Sequence, residues 1–225
     1  LIPSLNEGHS ALPLALVTCA AILFLAVPLV HGVNWKSASA LGGAVVALAI
    51  SGALGWASIS STALTGSSSE DNLKLLLYMP GVSVVGVLLC GFIIGALGSL
   101  NDIAVAQAST VRELHAADPT AGPGALFMSA MKVGRDHIAS MVYTIVLTYT
   151  GAALPLLMLI TAAQRPALQI LSSDLVATEV LRSLLGAMAL TLAVPLTTVI
   201  AAFTEPEGRD QAPRQSSRPR AKHRR

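Results

Sequence analysis

Five runs of about twenty apolar residues, near 11–30, 38–58, 75–100, 138–162 and 181–203, hold no Asp, Glu, Lys or Arg through their middles; Arg182 sits at the edge of the last. A helix crossing the roughly 30 Å hydrocarbon core of a bilayer needs about this length. An open strand in lipid would leave backbone donors and acceptors unpaired, so each run reads as a helix. The fold class is therefore all-α: a polytopic transmembrane helix bundle with about five membrane-spanning helices. Composition closes the alternative, because only 12% of the 225 residues are charged. A soluble domain carries about 25% and needs them to cover its surface.

Basic residues orient the bundle. With the C-terminus in the cytoplasm, Lys36, Arg112, Lys132, Arg135 and the seven Lys and Arg of the last seventeen residues lie inside. Lys74, Arg165 and Arg182 then lie outside. The expectation is N-terminus out and C-terminus in, with the tail carrying most of the bias. Residues 101–137 form a large cytoplasmic loop in this reading, while 59–74 and 163–180 are loops outside. Residues 205–225 are polar, proline-bearing and basic, and are expected to be a disordered cytoplasmic tail. The first run has no basic flank and is too long for a signal-peptide core. The chain opens on Leu1 and reads as a piece of a longer protein. Trp35 and Trp56 flank the second run as interfacial anchors would.

Helical spacing picks out two faces. In the third run, Gly91, Gly95 and Gly98 recur at i, i+4 and i+7, a small-residue seam along which another helix can approach. Asp102 continues that face one turn later. It reads either as a coupling or gating group near the cytoplasmic mouth or as an interfacial carboxylate that solvates the helix end. In the fourth run, His137, Thr144, Thr148, Gly151 and Pro155 form one stripe, with Ser140 beside it. Pro155 removes a backbone donor and predicts a kink with a freed carbonyl near residue 151. Such a face lines a polar path or packs against the bundle, since Ser and Thr in membrane helices often bond back to the i−4 carbonyl. Between the runs, Ile103–Ala117 reads as a surface or interfacial helix containing Gln107. Pro119, Gly122, Pro123 and Gly124 break it. The stretch "ALFMSAM" is too short to span and reads as a surface segment. Arg135 either pairs with Asp102 or snorkels to lipid phosphate; Asp136 and His137, adjacent on a helix, point about 100° apart.

Reactive chemistry is sparse. The motifs GxSxG, HExxH and Walker A are absent, and Cys19 and Cys90 lie inside apolar runs without zinc spacing. No catalytic residue, metal or cofactor is expected, nor is a nucleic-acid partner. Asp102, Arg135, Asp136, His137, Thr144 and Thr148 are the candidate functional residues.

Three segments carry a family resemblance: "HGVN" at 31–34, "GFIIGALGSLNDIAVAQASTVRELHAADP" at 91–119 and "VGRDHIASMVYTIVLTYTGAALPLLML" at 133–159. Together they resemble the YibE/F-like family of bacterial multi-pass membrane proteins, over about residues 5–205. Asp102, Gln107, Ser109, Glu113, Gly134, Arg135, Asp136, His137, Gly151 and Pro155 match its motifs. The resemblance implies a bacterial plasma-membrane protein with no established substrate or reaction. It also implies an N-terminal anchor, an extracytoplasmic domain and further helices ahead of this region. Two functions fit: a permease-like transporter of a small solute or ion, or a non-catalytic scaffold or accessory subunit in the lipid bilayer that supports an extracytoplasmic domain or a partner such as another membrane subunit.

Overall fold

A computed structural model describes residues 1–7, 9–62, 66, 70–162 and 166–204. The expected disordered tail and Arg165 lie outside these residues. Among the described residues there are helices and turns but no strands. Four helices are long and apolar enough to cross a membrane, and a bent pair makes up to five. The chain is an all-α, multi-pass membrane bundle.

The chain enters through α1 (Ile2–Asn6) and crosses in α2 (Ala11–His31). The "HGVN" segment is the turn that reverses it. Gly32 takes a left-handed φ of 76°, where a Cβ would be strained, and its N–H donates to the Pro28 carbonyl at 2.9 Å. Asn34 then joins both helices. Its Nδ2 donates to the His31 carbonyl at 2.8 Å, and its Oδ1 accepts from the Ser37 N–H at 3.0 Å, capping α3 (Trp35–Ser61).

The third apolar run departs from expectation. Residues 75–78 belong to a short helix, α4 (Glu70–Tyr78), and the spanning helix α5 starts only at Val84. Pro80 and Gly81 interrupt the run, and Ser83 caps the new helix by accepting from the Gly86 N–H at 3.1 Å. α5 (Val84–Ala117) then continues for 34 residues, about 51 Å at 1.5 Å per residue. That exceeds the hydrocarbon thickness, so α5 extends beyond it at one end.

The segment 101–137, expected as a loop holding a separate helix over 103–117, is a helical hairpin: that helix ends at Ala117 as expected but continues α5 without a break. α5 ends at Asp118, whose Oδ1 accepts from the Thr120 N–H at 3.0 Å and the Thr120 hydroxyl at 2.6 Å. These bonds hold the Asp118 carboxyl below its usual range. Pro123 then opens α6 (Pro123–Ala152), which takes in "ALFMSAM" and the charged "KVGRDH" stretch in one helix. α6 gives way to α7 (Leu154–Ala162) through a 53° bend. The break lies two residues before Pro155, the region where a proline withholds its donor and crowds the preceding turn. A short α8 (Ala167–Leu171) precedes α9 (Asp174–Thr204), which begins seven residues ahead of the predicted span, with Asp174 in its first turn.

Small residues set the packing. α3, α5 and α9 form the centre, α2 packs on α3 and α5, and α6 packs on α9 and α5. A Cβ added at Gly43 would stand 2.6 Å from Thr197 Cα, so the backbones of α3 and α9 pass in direct contact there. Gly52 and Gly55 make room for Ile93 and Leu185 in the same way. Cys19 and Cys90 are buried and unpaired, as expected of small core residues. Trp35 and Trp56 are exposed, as anchors at the two ends of α3 would be.

Candidate functional site

The stripe anticipated on the fourth run lies along one side of α6, but that side faces outward, and Arg135 and Asp136 leave the helix in other directions. His137, Ser140, Thr144, Thr148, Gly151 and Pro155 are all exposed. The expectation that this stripe turns toward the bundle is corrected. α6 buries Leu126, Ala130, Gly134 and Ile145 instead. The reason is steric. Ala130 and Gly134 let α6 come close to α5 and α9, and a Cβ at Gly134 would stand 2.6 Å from Val194 Cγ1. A helix docked along that line has no second side to bury. The Thr144 hydroxyl donates to the Ser140 carbonyl at 3.0 Å, satisfying itself within its own helix.

The glycine seam behaves likewise. Gly91, Gly95, Gly98 and Asp102 are exposed. An added Cβ meets nothing within 4 Å at Gly91 or Gly98; at Gly95 it meets only the Tyr149 hydroxyl, at 3.2 Å. As a packing seam it is unfilled by the described residues of this chain. None of the ion pairs among the described residues joins Asp102 to Arg135, and Lys132, Arg135 and Asp136 are exposed too.

These two outward faces adjoin. α5 and α6 run antiparallel, tied at one end by Gln107 to Ala130 and near the other by Gly95 to Tyr149. That register sets Asp102 at the level of about His137–Met141, and Gly98 to Gly91 at the level of about residues 146–153, beside Thr148 and Gly151. Val146, Thr150 and Ala153 line the α9 side of α6. The hydroxyl stripe therefore lies on its α5 side, beside the open glycines. The result is one face at membrane depth, made of bare backbone and hydroxyls, with Asp102 and His137 at its charged end.

Gln107, expected in a surface or interfacial helix, is instead only 1% exposed. Its Nε2 donates to the Ala130 carbonyl at 3.0 Å and to Thr198 Oγ1 at 2.8 Å, and Thr198 in turn donates to the Val194 carbonyl at 2.6 Å. One amide thus joins α5, α6 and α9 at the end of the bundle that carries Lys132 and Arg135. An amide this deep needs such partners, since an unmet one costs about 1–3 kcal/mol. The sequence signal was its spacing: Ala104, Gln107, Ala108 and Val111 continue the buried face of α5.

A second charged feature lies at the opposite end. Glu179 and Arg182, one turn apart on α9, pair at 3.5 Å and are 28% and 34% exposed. The Arg182 guanidinium sits 5.4 Å above the Phe92 ring of α5. Arg182 was expected at the edge of a span and Glu179 in a loop; the earlier start of α9 brings both into the helix. Glu179, Ser183, Tyr149 and Thr150 line a cleft of about 320 Å³ between α9 and the bend where α6 becomes α7. No group of three or more His, Cys, Asp or Glu side chains suited to a metal occurs among the described residues.

Apolar spanning helices, a small-residue core and two polar surfaces define a multi-pass membrane protein. A family model described as YibE/F-like protein matches residues 1–207. The chain belongs to that family. No curated protein and no solved structure matches it.

Proposed function

We propose that this chain is the membrane-embedded part of a permease-like transporter in the bacterial plasma membrane. The charged end of the α5–α6 hairpin, with Asp102 and His137 on this face and Arg135 and Asp136 around it, lies in the cytoplasm. The solute, a small molecule or ion, moves along the face that carries Thr144, Thr148 and the open glycines. Helices outside the bundle, from other subunits or the rest of a longer chain, close the path. The observation that carries the reading is the polar content of this face. Glycine backbone, three hydroxyls and a carboxylate turned outward at or near membrane depth are poor neighbours for acyl chains, and polar groups there mark pathways. Bent α6–α7 supports it, because broken spans recur beside transport sites. No chemistry is assigned to the chain, and its role is non-enzymatic.

The alternative is a scaffold, in which a partner helix packs dry on the same face. The back-bonded Thr144 and the i, i+4, i+7 glycines favour it. Single cysteines at 144, 148 and 151 decide, with one at 141 as control, in a protein whose Cys19 and Cys90 have been replaced. A small water-soluble thiol reagent labels 144, 148 and 151 but not 141 if the face is wet. Equal protection at all four, in the presence and absence of a membrane gradient, overturns transport in favour of the scaffold.

A further inference from the structure

The cleft at the α6–α7 bend has a composition that selects a ligand. Its walls are apolar: Val146 before the bend, Leu156 and Leu157 after it, and Val180 and Leu184 across from them on α9. Into this lining project one carboxylate, Glu179, one phenol ring, Tyr149, and the hydroxyls of Thr150 and Ser183. Among the described residues, no cationic side chain lines it. Arg182 lies on the other side of α9, against Phe92, and reaches Glu179 through a single oxygen, Oε1. A carboxylate offers about four acceptor sites, so this contact leaves capacity for another charged donor or cation. Arg182 thus pairs with the carboxylate without occupying the cleft.

From this arrangement we infer that the cleft is a binding site for a lipophilic monocation. The cation's charge sits against Glu179 and the Tyr149 ring, and its apolar body lies between α7 and α9. An anion of the same shape meets the carboxylate and is rejected. A neutral one gains only the apolar walls. The Tyr149 ring stands beside two glycines, on α9 and on α5. Its Cε2 lies 3.8 Å from a Cβ built at Gly186 of α9, and its hydroxyl 3.2 Å from one built at Gly95 of α5. The inference stands apart from the α5–α6 face: the cleft binds whether or not that face is wet.

Equilibrium dialysis of the purified chain in nanodiscs, against empty nanodiscs, tests it. The probes are tetraphenylphosphonium and tetraphenylborate, which have the same shape and opposite charge. Saturable binding of the cation alone is expected. Glu179→Gln weakens it by roughly tenfold or more, the loss of one charge-assisted contact, while Glu179→Asp retains it. Ser183→Leu, which fills the cleft and keeps the carboxylate, also weakens binding. If the Glu179→Gln chain does not purify as a monodisperse species, Ser183→Leu decides alone. Equal binding of both probes, unchanged cation binding in Glu179→Gln or in Ser183→Leu, or no saturable binding above empty nanodiscs overturns the assignment.

Discussion

Two sets of glycines in apolar helices of this molecule have opposite fates. On α3, Gly43, Gly52 and Gly55 are closed over by α9, α2 and α5, and the contact at Gly43 reaches the neighbouring backbone. On α5, Gly91 and Gly98 meet nothing. Both sets place glycine in an apolar spanning helix, around α3 and along one face of α5. What differs is company. α3 sits between α2, α5 and α9, while α5 turns Gly91 and Gly98 to open space beside α6. Small-residue spacing therefore shows where a helix can be approached closely, and says nothing about whether the approaching helix belongs to the same chain.

The largest expected effect breaks or confirms that contrast. Gly43→Val puts a branched side chain where even a Cβ falls within 2.7 Å of Thr197. Overpacking of this kind costs about 3 kcal/mol, and the loss should appear as a lower unfolding midpoint in detergent titrations. Gly98→Leu, in open space, should change that midpoint by no more than about 0.5 kcal/mol in equivalent stability. A Gly98→Leu protein as unstable as Gly43→Val would mean that the α5 face is occupied in the purified protein. The contrast would then be one between partners in the same chain and in another.

Hydroxyls and amides sharpen the same comparison at smaller magnitude. Gln107→Met keeps the volume and removes two donors, leaving the Ala130 carbonyl and Thr198 without them. The cost should be about 1–3 kcal/mol, read from the same titrations. Thr148→Val removes a hydroxyl of similar size from the open face and should be neutral to within about 0.5 kcal/mol. Equal losses at the two positions would remove the distinction between a closed polar node and an open polar face.

Much of the bundle is legible from the chain alone. Apolar runs of spanning length locate α2, α3 and α9 because nothing competes with helix in lipid. The kink near Pro155 is readable because proline acts locally. Elements governed by local competition are harder. Pro80 and Gly81 cut the third run, and Ser83 offers a cap, so hydropathy averaged over a window overshoots the start of α5. The charges of 101–137 suggest a solvated loop, yet α5 and α6 extend as helices past the hydrocarbon. The site is less legible still. Helical spacing groups the stripe residues on one face, but the direction of that face depends on which other face packs better. Gly134 and Ala130, less conspicuous than three hydroxyls, decide that for α6. Gln107 shows the same limit, since a polar residue on an apolar stripe is buried only if another helix brings it partners.

The smallest effect belongs to the turn that joins the two helices of the open face. Thr120 donates twice to Asp118, and the hydroxyl bond is the larger cause of the lowered carboxyl pKa. A carboxyl depressed on folding contributes stability that is fully present above its unfolded value, about 3.9. That contribution is lost as pH falls through the lower folded value. Mild acid should therefore loosen the α5–α6 turn only below about pH 4. Thr120→Val should return the Asp118 titration toward the ordinary aspartate range, followed through its carboxyl carbon shift by NMR. An identical titration in wild type and Thr120→Val would show that the turn is not closed by this bond. Cysteine labelling at 144 and 148 in the same variant carries the result back to the comparison. Unchanged labelling would mean that the open face is held by Gln107 and Gly134 alone, whereas altered labelling would make its geometry depend on the hairpin above it.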